Sequence, residues 1–395
     1  MNILLTTFLL PTTQDYRKRV LQQVFSTYDC FLKDYGADGC CSEGPSYYHH
    51  AGLCLMDGLS ILNAVTSGAT QGAFQDEKII NIATYINNMY ARNGYYFNFG
   101  DGSAKAEIVG VREFMAAEAI KNDSMKKFVA ENWHKETTEE QLLCKEYSLF
   151  HKAQALQYAH RVDAYQNTTK ITRKNKTYPS VGISIYHDSL FDIAVNHGNN
   201  GTSHNHNDSG NVIIYKQGHP VLIDVGVETY TSKSFSPERY GIWTMQSCYH
   251  NLSSFGSHIQ GIENGVFPKD VQHRNTETFS EISFDLAPLY GNHVPDLQHY
   301  YRTVRFEKNK NILIKDVVGR NATLSLMVCD KPEIEYKTNT ILLNNGFASL
   351  TLSNANTIQV ETISTHNDAN LTPVWGATVY RILIDYSNSI SVIIQ

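Results

Sequence analysis

At 395 residues the chain is longer than a single hydrophobic core usually grows, so length alone argues for two domains. It carries 33 Lys+Arg against 39 Asp+Glu, a net charge of −6, which argues against nucleic-acid or anionic-membrane binding, where affinity comes from clustered cations. Any polyanionic ligand would have to be met by a local basic cleft and not by the overall field.

The first residues, "MNILLTTFLLPTTQ", hold an apolar run without a positive n-region or a small-residue cleavage site, and read as a helix end in preference to a signal peptide. No apolar run reaches the roughly 20 residues that span a bilayer. The expected location is cytoplasmic, with the periplasm or cell envelope as the alternative if the N-terminus is truncated. The 7 cysteines, Cys30, Cys40, Cys41, Cys54, Cys144, Cys248 and Cys329, are odd in number and form no CxxC pair. They signal neither a disulfide framework nor a cysteine zinc site, and a reducing compartment fits them best.

From residue 12 to about 160 the apolar period is helical. "TTQDYRKRVLQQVFSTYDCFL" opens on Thr12-x-x-Asp15, a capping-box pattern, and continues with Val20, Val24 and Tyr28 at four-residue steps. "DEKIINIATYINNMY" puts Ile79, Ile82, Ala83, Ile86 and Met89 on one face, and "VREFMAAEAI" and "EEQLLCKEYSLFHKAQALQYA" add further helices. Amphipathic helices in succession with short loops suggest antiparallel hairpins, a helical domain over residues 1–165.

"YQNTTKITRKNKTYP" is polar and basic and reads as a connector; a wall of an anion cleft is the alternative. Short strands follow over 166–395: "SVGISIYH", "FDIAV", "NVIIYKQGHPVLIDVG", "ISFDLA", "YYRTVRFEKNKNILIKDVVG", "ATLSLMV", "FASLTL", "TIQVETI" and "VYRILIDYSNSISVIIQ". Gly, Asn or Lys turns between them are the signature of an antiparallel β-sandwich.

One stretch breaks the strand pattern: "NHGNNGTSHNHNDSGNV", dense in imidazoles and amides. If "SHNHND" runs extended, His204, His206 and Asp208 share one side. Downstream, Asp224 ends the apolar run "PVLIDVG", where an uncompensated carboxylate costs several kcal/mol to bury. His250 lies in "QSCYHNL". His206, Asp224 and His250 with a water would make an N/N/O site typical of zinc; the bland alternatives are loop histidines and a turn-capping aspartate. A hairpin turning at Gln217-Gly218 would set Asp224 opposite Val212, so the Asp208-Ser209-Gly210 turn must fold the histidine loop back.

The block from His204 to Asn251, with "DGCCSEGPSYYHHAGLCLMDGL" and "NGYYFNFGD" before it, resembles the heparinase II/III-like family of polysaccharide lyases. The resemblance covers most of the chain, from about Tyr16 to the last strands, and is compatible with an N-terminally truncated member. It implies an incomplete α/α toroid followed by an antiparallel β-sandwich, with one mainly structural Zn2+ on His206, Asp224 and His250. By the same resemblance His204 is the active-site histidine, Tyr96 the catalytic tyrosine with Tyr95 one residue away, and Glu43 a carboxylate that engages substrate. Where several members have Asn or His just before that glutamate, this chain has Cys40-Cys41-Ser42. The group that neutralises the substrate carboxylate is left open among His49, His50 and Arg239.

The implied activity is cleavage of an acidic, uronic-acid-containing polysaccharide or oligosaccharide, glycosaminoglycan-like or alginate-like, by β-elimination. A base removes the C5 proton next to the carboxylate, and an acid protonates the leaving oxygen at C4. The proton is weakly acidic until the carboxylate is neutralised. A free tyrosine is a poor base at neutrality, but nearby cations bring its phenolate within reach. Tyr47, Tyr48, Tyr240 and Trp243 are candidates to stack on sugar rings, against ordinary packing as the alternative. Two other readings compete. One is a protein that binds uronic-acid oligosaccharides without cleaving them. The other is a metal-dependent hydrolase, because His204-Asn-His206-Asn-Asp208 matches an HxHxD start, although residue 209 is serine and not histidine.

Overall fold

The first long helix shows how local chemistry sets the helical part. It runs Gln14–Asp34 and is capped by Thr13, whose hydroxyl accepts from the Tyr16 N–H at 3.2 Å. The capping-box pattern pointed to Thr12, one residue early; the Thr12 hydroxyl instead donates to the Thr7 carbonyl. Val20 and Val24 are buried as their spacing required. A computed structural model of the protein describes residues 1–105, 110–137, 141, 148–166, 170–171, 173–202, 204–262, 265–294 and 296–395. The expected helix over residues 139–159 falls partly outside the described residues, with Cys144, and so does part of the expected connector, at 167–169 and 172.

The chain forms two compact units. The first, Met1–Cys41, Pro45–Met89 and Ala106–Arg173, carries helices α1 (Asn2–Leu9), α2 (Gln14–Asp34), α3 (Gly52–Val65), α4 (Glu77–Asn88), α5 (Val111–Ala119), α6 (Asp123–Trp133) and α7 (Leu149–Asp163). Asp76 caps α4 by accepting from the N–H groups of Lys78 and Ile79, and Ile79, Ile82, Ala83 and Ile86 face inward. A buried polar network ties this unit together. Arg112 meets Asp57 at 2.8 Å, His151 meets the same carboxylate at 3.2 Å, and His49 meets Glu113 at 2.6 Å.

The second unit holds Lys174–Gln395 and also takes in Ser42–Gly44 and Tyr90–Lys105. The two early segments therefore belong with the strands and not with the helices around them in sequence. The joins are visible in the hydrogen bonds: the Asn98 amide donates to the Asp224 carbonyl at 3.1 Å, and the Tyr215 hydroxyl to the Tyr96 carbonyl at 3.4 Å. Two antiparallel sheets carry the unit's strands, beside a short helix, α8 (Thr372–Trp375), and several single helical turns. The five-stranded one runs in sequential order: β1 (Lys176–Tyr178), β2 (Ile183–His187), β3 (Phe191–Asn196), β4 (Val212–Lys216) and β5 (His219–Leu222). The nine-stranded one is built from β6 (Ser253–Ser254), β7 (Lys269–Asn275), β8 (Phe279–Asp285), β9 (Tyr301–Glu307), β10 (Asn311–Val328), β11 (Glu333–Glu335), β12 (Thr340–Leu343), β13 (Ala348–Ser364) and β14 (Thr378–Ile394). Its order is β11-β12-β13-β14-β10-β9-β8-β7, with the short β6 pairing β10. Ile193, Val195, Val212 and Ile214 of the first sheet share one hydrophobic cluster with Ile282, Val304, Ile314 and Ile384 of the second.

Several strands differ from expectation, and β1 lies inside the stretch read as a connector. β10 is a single strand, Asn311–Val328, where the sequence suggested a turn at Gly319; the register merely shifts between Val317 and Asn321, a bulge accommodated by Gly319 at φ +65°. β13 (Ala348–Ser364) likewise runs through Asn354 with bulges instead of stopping. β7 (Lys269–Asn275) gave no signal because it is an edge strand with every residue exposed, so its residues show no inward-outward alternation.

Candidate active site and metal centre

The site is built where β4 begins and β5 ends. Gly210, at φ +97°, turns the chain into β4, and the Asn211 N–H closes that turn on the Asp208 carbonyl at 2.9 Å. The turn folds the histidine loop back, as the Val212–Asp224 register demanded. The Asn211 side chain then donates to Asp224 Oδ2 at 2.8 Å. Asn251 does the same work from the other side. Its amide donates to the carbonyls of Val212 and Ile223 and to Asn211 Oδ1, while its oxygen accepts from the Met327 N–H. With Asn251 fixed, the adjacent His250 stands beside Asp224, Nδ1 to Oδ2 at 3.2 Å. The amides of the unusual stretch are therefore struts: Asn200 Oδ1 accepts from the Ser209 N–H, and Asn200 and Asn207 both donate to Gln260.

His206, Asp224 and His250 come together as the sequence suggested, each offering one ligand atom, all within 4.8 Å of one another and all buried. The donor set fits an ion. His206 Nδ1 and His250 Nε2 are buried without a hydrogen-bond partner among the described residues, an arrangement that costs free energy unless a cation fills it. Burial pushes the Asp208 carboxyl up. Burial opposes ionisation of Asp224 too, yet His250, His206 and the Gly226 N–H together outweigh it and hold that carboxyl low. Two imidazoles and a carboxylate are the donor types zinc takes.

Beside this group stands His204. Its backbone lies in the left-handed region at φ +54°, uncommon for a side-chain-bearing residue. Nδ1 meets Asp101 Oδ2 at 3.0 Å, and Nε2 lies 3.8 Å from Glu43 Oε1, with the side chain 28% exposed. Glu43 and His204 are thus brought together within the second unit. Asp101 went unnoticed in the sequence, although a carboxylate between two glycines directly after "GYYFNF" was available as a signal. It also accepts from His206 Nε2 at 3.2 Å, from the Tyr230 hydroxyl at 2.9 Å and from the Arg239 guanidinium. Burial would raise its pKa, but the bonds from His206 and Arg239, with His204 beside them, hold the carboxyl well below the usual carboxylate range.

The remaining candidates divide. Tyr96 is 3% exposed, edge-on to the Tyr90 ring. Tyr95 is half-buried between Tyr215 and Trp375, with Lys105 over its ring, and burial raises its pKa. Arg239 is turned inward, donating to Asp101, Asn205 and Ser234, so most of its fork serves the loop and not an incoming carboxylate. Tyr240 donates to Asn205 at 2.7 Å. Trp243 bonds Glu228 at 2.8 Å and lines an open pocket of about 540 Å³ with Lys233, Thr231 and Asp368. Two residues of the first unit do not present themselves to a ligand. Tyr48 is fully buried with its hydroxyl on the Ala83 carbonyl, and His49 is buried against Glu113. Both serve helix packing. His50 is exposed.

Comparison with known proteins bears on this arrangement. A family profile described as heparinase II/III-like, C-terminal, matches residues 170–381, more than half of the chain. The chain belongs to the heparinase II/III-like family. Its fold is similar to that of a mutant of the heparan sulfate lyase HepC from Pedobacter heparinus, with a TM-score of 0.68 at 13% identity over 93% of this chain and 54% of that one. A heparinase III gene product gives 0.62 at 14% identity, over 93% and 54% of the two chains. HepC itself gives 0.63 at 14%, over 99% and 58%. The chain thus spans a little over half the length of these solved structures. No curated protein matches the sequence significantly. Among the described residues, no helix is long and apolar enough to cross a membrane.

Proposed function

We propose that this member of the family is a polysaccharide lyase that cleaves uronic-acid-containing chains by β-elimination, with a structural zinc on His206, Asp224 and His250. The helices are read as an incomplete α/α toroid and the two sheets as a β-sandwich, with a domain boundary near residues 165–166. The observation that carries the reading is the setting of His204. A strained backbone, a buried carboxylate on one ring nitrogen and an accessible second nitrogen facing Glu43 make an oriented proton-transfer group. His204 Nε2 takes the C5 proton, the C4–O bond breaks, and a proton from Tyr96 goes to the leaving oxygen; the product gains a C4–C5 double bond. Glu43 engages the sugar beside His204. Zinc, when bound, supplies rigidity to the loop that presents His204.

The test is incubation with glycosaminoglycans, alginate and pectic oligomers while the ultraviolet absorbance of the unsaturated product is followed. His204→Asn should abolish it without unfolding, because asparagine tolerates the left-handed backbone. Tyr96→Phe should also remove it; turnover retained in that variant would hand the acid role to Tyr95 or His204.

The 3% exposure of Tyr96 favours a second reading, a protein that binds uronic-acid oligosaccharides without cleaving them. Binding by the unaltered protein with no unsaturated product would establish it. The hydrolase reading loses support, since His204 turns to Asp101 and neither it nor Asp208 belongs to the group that could hold an ion.

A further inference from the structure

Asp101, the carboxylate that holds one nitrogen of His204, has contacts that reach beyond that histidine. Each oxygen of its carboxylate takes two donors: Oδ1 from His206 Nε2 and Arg239, Oδ2 from His204 Nδ1 and Tyr230. Its own N–H donates to the His204 carbonyl at 3.0 Å, so backbone and side chain grip the same histidine. An imidazole that turns one nitrogen to a carboxylate has only the other to offer. For His206 the nitrogen left over is Nδ1, buried and unpartnered beside Asp224 and His250. For His204 it is Nε2, on the accessible side next to Glu43. An amide in place of the carboxylate would present one acceptor oxygen and a competing N–H donor, and could not serve both rings.

We propose that Asp101 is a positioning residue shared by two sites: it turns His206 so that Nδ1 faces the metal, and turns His204 so that Nε2 faces the substrate. One carboxylate thereby makes the metal centre and the proton-transfer histidine a single rigid unit. Carboxylates behind metal-bound histidines are worth about 10- to 100-fold in metal affinity. The kinetic part of the inference rests on the lyase reading; the metal and tautomer parts do not.

The experiment compares the unaltered protein with Asp101→Asn and Tyr230→Phe, the latter removing a donor to the same carboxylate without touching either imidazole. Zinc affinity is read by competition with a chromophoric chelator, and the histidine ring nitrogens by NMR on imidazole-labelled protein. In Asp101→Asn, zinc affinity should fall about 10- to 100-fold, both rings should lose their fixed tautomers, and kcat should drop about 100-fold with KM within about 3-fold. Tyr230→Phe should keep zinc affinity within about 3-fold. Should Asp101→Asn not fold, Asp101→Glu, which moves the charge by one methylene, is read by the same two measurements. Unchanged zinc affinity and unchanged tautomers would overturn the proposal, whatever the activity. If no form of the protein cleaves any substrate but both readouts move, the positioning role stands and the lyase reading alone falls.

Discussion

A Cβ on Gly100 would lie 2.4 Å from the carbonyl oxygen of His204. Gly100 sits at φ +60°, so a side chain there is penalised twice, by the backbone conformation and by a collision with backbone that cannot swing aside. Gly100→Ala should therefore push the loop of Asp101 away from the histidine it grips. The expected result is a loss of about 1–3 kcal/mol in stability, with His204-dependent turnover falling more steeply than substrate affinity. Chemical denaturation and steady-state kinetics on one preparation read both, and a variant with unaltered melting and turnover would mean that the loop yields freely.

Arg302 and Asp316 lie fully buried, joined at 2.7 Å, and Arg302 also donates to the carbonyls of Gly210 and Asn251. Those two residues bracket the metal group, one at the turn into β4 and one after His250. Removing one partner of a buried ion pair strands the other, which costs about 3–5 kcal/mol. Arg302→Met should lower stability by that amount and loosen metal binding as well. The double variant Arg302→Met with Asp316→Leu should recover part of the stability but not the metal affinity, since the two carbonyls stay without a donor. Equilibrium unfolding and metal titration separate the two effects.

If an ion occupies His206, Asp224 and His250, it stabilises the folded chain by mass action. With free metal at about 100 times its dissociation constant this amounts to about 2.7 kcal/mol, so a strong chelator should lower Tm by roughly 5–10 °C. Elemental analysis of the purified protein should find one zinc per chain, and Asp224→Ala should remove both the zinc and the effect of the chelator. A chelator-insensitive melt with no bound metal would leave the buried nitrogens His206 Nδ1 and His250 Nε2 unsatisfied and would count against the site.

How far the sequence discloses this site depends on which interactions leave a local trace. The three metal-group residues were legible because buried histidines and a carboxylate at the end of an apolar run are chemically costly wherever they occur. The helix faces of α2 and α4 and most strands were legible from periodicity. Asp101 was not, because its four donors come from positions 204, 206, 230 and 239, more than 100 residues away. Whether Tyr48 and His49 pack or meet a ligand stayed open for the same reason: the groups that satisfy them, Ala83 and Glu113, lie far along the chain from "SYYHH". Gly319 and Asn354 look like turns in the sequence because a bulge and a turn ask the same thing of the backbone.

His197 offers a test of pH dependence away from His206, Asp224 and His250. It is buried, its Nε2 is 3.1 Å from the Ser184 hydroxyl, and the His273 ring stands 5.4 Å away. Burial, with a smaller contribution from His273, pushes its pKa down to about 4, and burial lowers His273 as well. The sign follows from proton uptake. Above the unfolded value of about 6.5 neither state is protonated and no stability is lost. Between about 6.5 and 4 the unfolded chain binds a proton that the folded chain refuses, so stability falls as pH drops. The full window corresponds to roughly 3 kcal/mol. His197→Gln, which can still bond Ser184, should flatten the decline in Tm between pH 7 and pH 4.5, and adding His273→Gln should flatten it further. An acid limb identical in the unaltered protein and in both variants would place the acid sensitivity in other groups.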